Sequence, residues 1–208
     1  MRARVRLFLA SSNPGKLSEY RALARTAELA SPGEAAIALE LLPGFDSLLA
    51  FEENAPTFAE NAAGKALHAS TIADEAVCAD DSGLVVPTLG GEPGVQSARY
   101  AGAGASGAEN IAKLLSALRG KSGPYRDGYF VCALAVARKG RVLAVVTNRV
   151  DGQLLEAPRG SGGFGYDPIF FFAKLGKTFA DISSEEKNLY SHRGKAFRRL
   201  LEVLPGML

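Results

Sequence analysis

Strand-like and helix-like segments alternate along this chain, and that alternation is what most limits its fold. Val5 to Ala10 is β-rich and suits a buried strand. Ser11-Ser12-Asn13-Pro14-Gly15 is a dense turn signal, and Leu17, Tyr20, Leu23 and Ala27 then recur at helical spacing. Ser31-Pro32-Gly33 closes this opening unit, and Leu39 to Leu42 reads as a second strand. Thr57-Phe58-Ala59-Glu60 has the form of a capping box, and the helix it starts is expected to reach Ala73. Ala76 to Ala79 reads as a short buried strand that stops at Asp80, with Leu84 to Val86 apolar again. Ala108 to Leu118 has helical spacing, with Gly120 as a stop signal. Gly128 to Ala137 and Arg141 to Thr147 flank Lys139-Gly140, which predicts a hairpin. Arg159 to Asp167 is a glycine-rich loop and Ile169 to Phe172 a strand. Ser183 with Glu186 offers another capping box. Ser191 is placed to cap a last helix that carries Phe197, Leu200, Leu201 and Leu204 inward before Pro205-Gly206 stops it. A hairpin within an otherwise alternating order predicts an α/β fold with a mixed sheet and flanking helices.

A chain of 208 residues, taken as one domain over 1–208, is long enough to bury roughly 70% of its unfolded surface without covalent staples. Cys78 and Cys132 lie in apolar runs with no Cys-x-x-Cys and no Cys/His cluster, so they read as buried thiols and not as zinc ligands. Met1 to Ala10 has bases ahead of apolar residues, but its apolar core, Leu7 to Ala10, is shorter than the ~7–15 residues of a secretory leader. The longest later apolar run, Tyr129 to Ala137, is far below the ~20 residues of a spanning helix. No membrane partner and a cytoplasmic location are expected. A net charge of +2 is too balanced to point to nucleic acid. The charge is unevenly spread: ten acids and one base lie between Ser31 and Ser82, whereas Lys187 to Arg199 holds five bases and no acid. One wall suited to a cation and another suited to an anion are the expectation.

Four constellations could carry chemistry. Ser11 to Lys16, between a strand and a helix N-terminus, offers hydroxyls, an amide, an ammonium and free N–H groups to a polyphosphate. Its spacing is not that of a Walker A loop. Asp80-Asp81-Ser82-Gly83 ends a buried strand with two carboxylates, which need a cation or donors in compensation. Adjacent strand residues point to opposite faces, so only one of the two acids would aim straight into a given site. Asp81 is well placed to hold magnesium or an attacking water. Glu52-Glu53-Asn54 precedes the Thr57 cap and could share that cation, with Asn61 and Lys65 then facing phosphates. Gly160 to Pro168 is a loop whose glycines allow close approach and whose Phe164 and Tyr166 could stack on a base. Lys187, His192 and Arg193 would act with it as donors. His68 reads as structural. Gly102 to Gly107 and Gly160 to Gly165 both match the spacing of a dinucleotide fingerprint, but neither lies between a strand and a helix.

Taken in order, these segments resemble the inosine triphosphate pyrophosphatase family from Leu9 to Leu201. The residues that carry the likeness are Ser11 to Lys16; Glu53, Thr57-Phe58 and Glu60-Asn61; Asp80 to Leu84 with Gly94 and Ser97-Ala98-Arg99-Tyr100; Gly162 to Pro168; and Lys187 with Ser191 to Gly194. The resemblance implies an elongated α/β fold with a long mixed sheet, two lobes around a central cleft, and a homodimer. It implies Mg2+-dependent hydrolysis of ITP, dITP and XTP to the monophosphate and pyrophosphate, which cleanses the nucleotide pool. By that likeness Ser11, Ser12, Asn13, Pro14, Gly15 and Lys16 would hold the triphosphate, with Lys65 nearby. Glu53 and Asp81 would hold the metal, Asp81 would accept the proton, and Ser82 would touch substrate. Phe164, Gly165, Tyr166, Asp167, Lys187, His192 and Arg193 would form the nucleoside side. Ala55 stands where the family often has glycine, which leaves Glu52 open beside Glu53; the division of labour between Asp80 and Asp81 is also open. The alternative is a purine nucleotide sensor without turnover.

Overall fold

A computed structural model describes residues 5–30, 37–49 and 51–206. Its elements in chain order are β1 (Val5–Leu9), α1 (Pro14–Ala30), β2 (Ile37–Leu41), α2 (Phe58–Ala69), β3 (Ala76–Val85), α3 (Gly107–Ala117), β4 (Asp127–Arg138), β5 (Arg141–Leu154), β6 (Phe170–Phe172), β7 (Lys177–Thr178), α4 (Ser184–Tyr190) and α5 (His192–Val203). The strands form one sheet in the order β2-β1-β3-β4-β5-β6-β7. β1 pairs parallel with β2 and β3, and β6 pairs antiparallel with β5 and β7, so the sheet is mixed as expected. Lys139 and Gly140 both have positive φ, 49° and 73°, the backbone that closes a two-residue hairpin between β4 and β5.

Local chemistry sets the helix starts. Asn13 caps α1, its Oδ1 accepting from the Lys16 N–H at 3.1 Å, and Pro14 occupies the first helical position, where no N–H is needed. Thr57 Oγ1 accepts from the Glu60 N–H at 3.2 Å and Ser183 Oγ from the Glu186 N–H at 3.1 Å, the N-cap half of each capping box read from the sequence. Ser106 and Glu109 add a capping box at α3 that the sequence reading missed. α2 ends at Ala69, and a 3-10 turn over Ser70–Ile72 completes the span expected to reach Ala73. The Ser31-Pro32-Gly33 turn lies outside the described residues. Among the described residues no helix is long and apolar enough to cross a membrane.

The chain divides into two compact units: Met1–Asp81 with Cys132–Asn148 and Gly194–Leu208, and Ser82–Val131 with Arg149–Arg193. In the first unit the period-two alternation of strands sorts residues between two cores. Leu7, Leu9, Ala76, Cys78, Cys132, Leu134 and Val136 pack with Tyr20 and Leu23 of α1 and with Phe197 and Leu200 of α5. Phe8, Ala10, Val77, Ala79, Ala133 and Ala135 pack with Ala62, Ala66 and Ala69 of α2. Both cysteines are buried thiols, and burial raises the Cys78 pKa well above the ordinary value. The second unit has its own core, built from Leu84, Phe130, Leu154, Ile169, Phe170 and Phe179 against Ile111 and Leu114 of α3.

β3 departs from the sequence reading. It does not stop at Asp80 but runs through both acids to Val85. Two interactions keep the strand going. Each acid finds a polar partner on its own face, as described below. Gly83 lets the chain at Gly94 to Ser97 come close: a Cβ on Gly83 would collide with the Ser97 hydroxyl and lie 2.7 Å from the Gly94 carbonyl. β5 likewise runs on past Thr147 to Leu154.

Candidate active site

The first unit gathers a carboxylate and ammonium cluster. On β3, residue 78 faces α1 and residue 79 faces α2, so continued alternation sends Asp80 toward α1 and Asp81 toward α2. The partners follow that rule. Lys16, in the first turn of α1, reaches Asp80 at 3.1 Å, and Asp80 is fully buried. Asn61 of α2 donates from Nδ2 to Asp81 Oδ2 at 3.0 Å. Lys65, one turn further along α2, donates to the Asp80 carbonyl at 3.0 Å and pairs with Glu53. Burial works against the Lys65 ammonium, but Asp80, Glu53 and Asp81 together hold its pKa above that of an ordinary lysine.

The surroundings of Asp81 perturb its carboxyl. Burial and then the nearby charge of Glu53 push its carboxyl up to about 6, against the opposing pull of Lys16, Asn61 and Lys65. Glu53 is thus the acid that shares an electrostatic neighbourhood with Asp81, whereas Glu52 is exposed and accepts from Asn54 Nδ2 at 2.8 Å. Two hard carboxylate oxygens that repel each other fit magnesium, which takes one or two carboxylates and fills its remaining positions with water and phosphate oxygens. Among the described residues no three His, Cys, Asp or Glu side chains form a closed metal cage. Ser11 to Lys16 lie at the end of β1 and the start of α1, with Ser12, Asn13 and Pro14 exposed and Ser11, Gly15 and Lys16 half-buried. Ser11 Oγ accepts from the Asn13 N–H at 3.3 Å. His68 lies on the same face of α2, but its Nε2 is 2.7 Å from the Leu49 carbonyl and it takes no part in the acid cluster.

The second unit holds the other predicted residues, with two of their cations over the Phe164 ring. Asp167 is buried; its Oδ2 accepts from Lys187 Nζ at 2.5 Å and from the Phe164 N–H at 2.8 Å. Gly163 has φ +68°, and a Cβ there would collide with that same carboxylate, so glycine is needed for both reasons. The half-buried Phe164 ring has Lys187 Nζ 4.9 Å and Arg193 Cζ 5.5 Å from its centroid. Arg193 also donates to Ser82 Oγ at 2.8 Å. His192 is buried and stacks on Phe130, centroids 4.8 Å apart and planes 16° from parallel. Gly165 is exposed beside them. The two aromatics of the loop differ in placement: Tyr166 is buried in the core of its unit and donates its hydroxyl to the Ser97 carbonyl at 3.0 Å.

Three residues of this arrangement had no assigned task from sequence, or a different one. Asn61 supports Asp81 and the chain at Ala55 instead of standing free for phosphate. Ser97 Oγ accepts from the Leu84 N–H at 2.9 Å and donates to the Gly94 carbonyl at 2.6 Å, fixing β3 just past Ser82. It stands inside the Ser97 to Tyr100 segment already singled out. Phe130 sits in an unremarkable apolar strand, and nothing in the sequence marks it as the platform for His192.

Comparison with known proteins bears on this arrangement. The family model described as the Ham1 family matches residues 7–203. A dITP/XTP pyrophosphatase of Geobacillus kaustophilus is 48% identical over 196 residues, covering 94% of this chain and 92% of that protein. One of Pectobacterium atrosepticum is 45% identical, covering 96% and 98%. Among solved structures, a HAM1 protein from Coxiella burnetii matches with a TM-score of 0.83 at 36% identity, over 97% of this chain and 99% of that one. A Staphylococcus aureus Ham1 protein matches with a TM-score of 0.81 at 35% identity, over 97% and 98%. The resemblance read from the ordered motifs and the α/β fold with a mixed sheet are borne out together: the chain belongs to the Ham1 family.

Proposed function

We propose that this chain hydrolyses dITP, XTP and ITP to the corresponding monophosphate and pyrophosphate with magnesium. The observation that carries the reading is 48% identity over nearly the whole chain to a dITP/XTP pyrophosphatase. The chemistry of the two residue groups supports it. Lys16 and the N-terminal turn of α1 bring positive charge to a triphosphate. Phe164, Lys187, His192 and Arg193 offer a ring face and donors to a purine. Magnesium, when bound, would be held by Glu53 and Asp81 and would supply positive charge against the phosphate oxygens. Without metal, burial and the Glu53 charge raise the Asp81 carboxyl to about 6; a cation held beside it would favour the carboxylate, the form that can orient an attacking water. Asp81 or Asp80 would orient that water or take its proton as the water oxygen bonds to the α-phosphorus. The bond from that phosphorus to the bridging oxygen breaks, and pyrophosphate leaves with the electron pair. Lys16 would neutralise the leaving charge. Base choice would come from donors such as Arg193, which pair with a 6-keto oxygen and are left unpaired by a 6-amino group. A homodimer acting in the cytoplasm completes the proposal.

The test is pyrophosphate release from dITP, XTP, ITP, GTP and ATP with magnesium, for wild type and for Asp81→Asn. Expected are rates for the first three at least tenfold above the last two, and a loss of at least a hundredfold in the variant. Equal rates on all five would overturn the specificity. Full activity in the variant would overturn the mechanism, and tight binding without release would favour a sensor.

A further inference from the structure

Residues 51–55, which carry Glu53, are fastened along one face of α2. The attachments recur at helical spacing, at positions 61, 64, 65 and 68. His68 Nε2 lies 2.7 Å from the Leu49 carbonyl, just ahead of the segment. The Phe51 ring fills the space where a Cβ on Gly64 would stand. Lys65 pairs with Glu53. Asn61, fully buried, does more than the others. Its Oδ1 accepts from the Ala55 N–H at 2.9 Å, and its Nδ2 donates to the Ala55 carbonyl at 3.3 Å and to Asp81 Oδ2 at 3.0 Å. A carboxamide has two N–H donors and one carbonyl oxygen, so every polar atom of this side chain is engaged. The amide is planar. Fixing its oxygen on the segment therefore fixes the direction of the N–H that meets Asp81.

The geometry points to Asn61 as a positioning residue that sets where the Glu53 segment stands relative to Asp81. The inference rests on the proposed pyrophosphatase reading, because it gives those two carboxylates a common task. Every polar atom of Asn61 is spent on Asp81 and Ala55, and none is left for a phosphate. The residue acts by holding one acid directly and the other through two bonds to the backbone at Ala55. A spacing error of about 1 Å between such groups costs on the order of a hundredfold in rate.

The experiment compares wild type, Asn61→Ala, Asn61→Asp and Thr57→Ala. Thr57→Ala removes the α2 cap without touching either acid and calibrates a purely structural loss. Three quantities are read: kcat and KM on dITP, Mg2+ affinity by calorimetry without nucleotide, and hydrogen exchange at the Ala55 amide. In Asn61→Ala, kcat is expected to fall at least thirtyfold with KM changed less than threefold. Mg2+ affinity should weaken several-fold, and the Ala55 amide should exchange at least tenfold faster. Thr57→Ala should keep kcat and Mg2+ affinity within twofold. Asn61→Asp keeps the acceptor for the Ala55 N–H but sets a second carboxyl in place of the amide donor to Asp81, so kcat should fall while Ala55 stays protected; it also serves if the alanine variant fails to fold. Wild-type kcat and Mg2+ affinity in the Asn61 variants would overturn the proposal, as would equal losses in Thr57→Ala. A wild type that does not hydrolyse dITP would sink the pyrophosphatase reading instead, with the Mg2+ and exchange measurements still deciding on Asn61.

Discussion

Replacing Asp81 by asparagine should make the metal-free protein more stable at neutral pH, although it should destroy activity. An ordinary aspartate has a pKa of 3.8, whereas Asp81 in the folded chain is pushed up to about 6, first by burial and then by Glu53. That gap corresponds to about 3 kcal/mol. Its sign follows from which state binds the proton. Well below pH 3.8 the folded and unfolded chains are both protonated at this site and Asp81 costs nothing. Between pH 4 and 6 the unfolded chain has released its proton and the folded chain still holds one, so stability falls as pH rises. Above about pH 6 the full penalty of a buried, repelled carboxylate is present. Asparagine keeps an oxygen to accept from Asn61 and removes the charge. The measurement is urea unfolding in EDTA from pH 4 to pH 8 for both proteins. The two curves should approach each other toward pH 4 and diverge to about 3 kcal/mol at pH 8 in favour of the variant, or about 6–12 °C in melting temperature for a chain of this length. A pH-independent difference, or a wild type that gains on the variant as pH rises, would refute the account of Asp81 as a destabilised base.

Two substitutions in the second unit probe its close contacts and hydrogen bonds. Gly83→Ala should cost about 1–3 kcal/mol, because the new Cβ meets the Ser97 hydroxyl and the Gly94 backbone, and denaturant titration measures it. Arg126 is buried, and its guanidinium donates to the carbonyls of Leu118, Leu154 and Leu155, tying the end of α3 to the end of β5. Arg126→Met should therefore cost about 2–4 kcal/mol in the same experiment, and Arg126→Lys should recover little of it, since one ammonium cannot reproduce the planar fork.

What the sequence made legible was local. Thr57, Ser183 and the Lys139-Gly140 pair announce their caps and hairpin through side-chain and backbone preferences that act within four residues. The long ends of β3 and β5 were not legible, for a different physical reason. Asp80-Asp81-Ser82-Gly83 has the composition of a turn, and only partners far along the chain turn it into strand. Lys16 and Asn61 offset the charge, and Ser97 occupies the space beside Gly83. The same distance effect hid the task of Asn61 and the Phe130 platform under His192. The acids, bases and glycines of the candidate site stood out as residue types, whereas the hydrogen bonds among them depend on the folded chain.

The separate faces of Asp80 and Asp81 make the cluster sensitive to a kind of change that side-chain substitution does not mimic. Deleting or inserting a single residue between Ala76 and Ala79 would leave both acids in the chain but turn each through half a pleat. The carboxylate matched to Lys16 would then look toward α2, and the one matched to Asn61 toward α1. Length in this short stretch is thus as strictly fixed as the identity of the acids themselves.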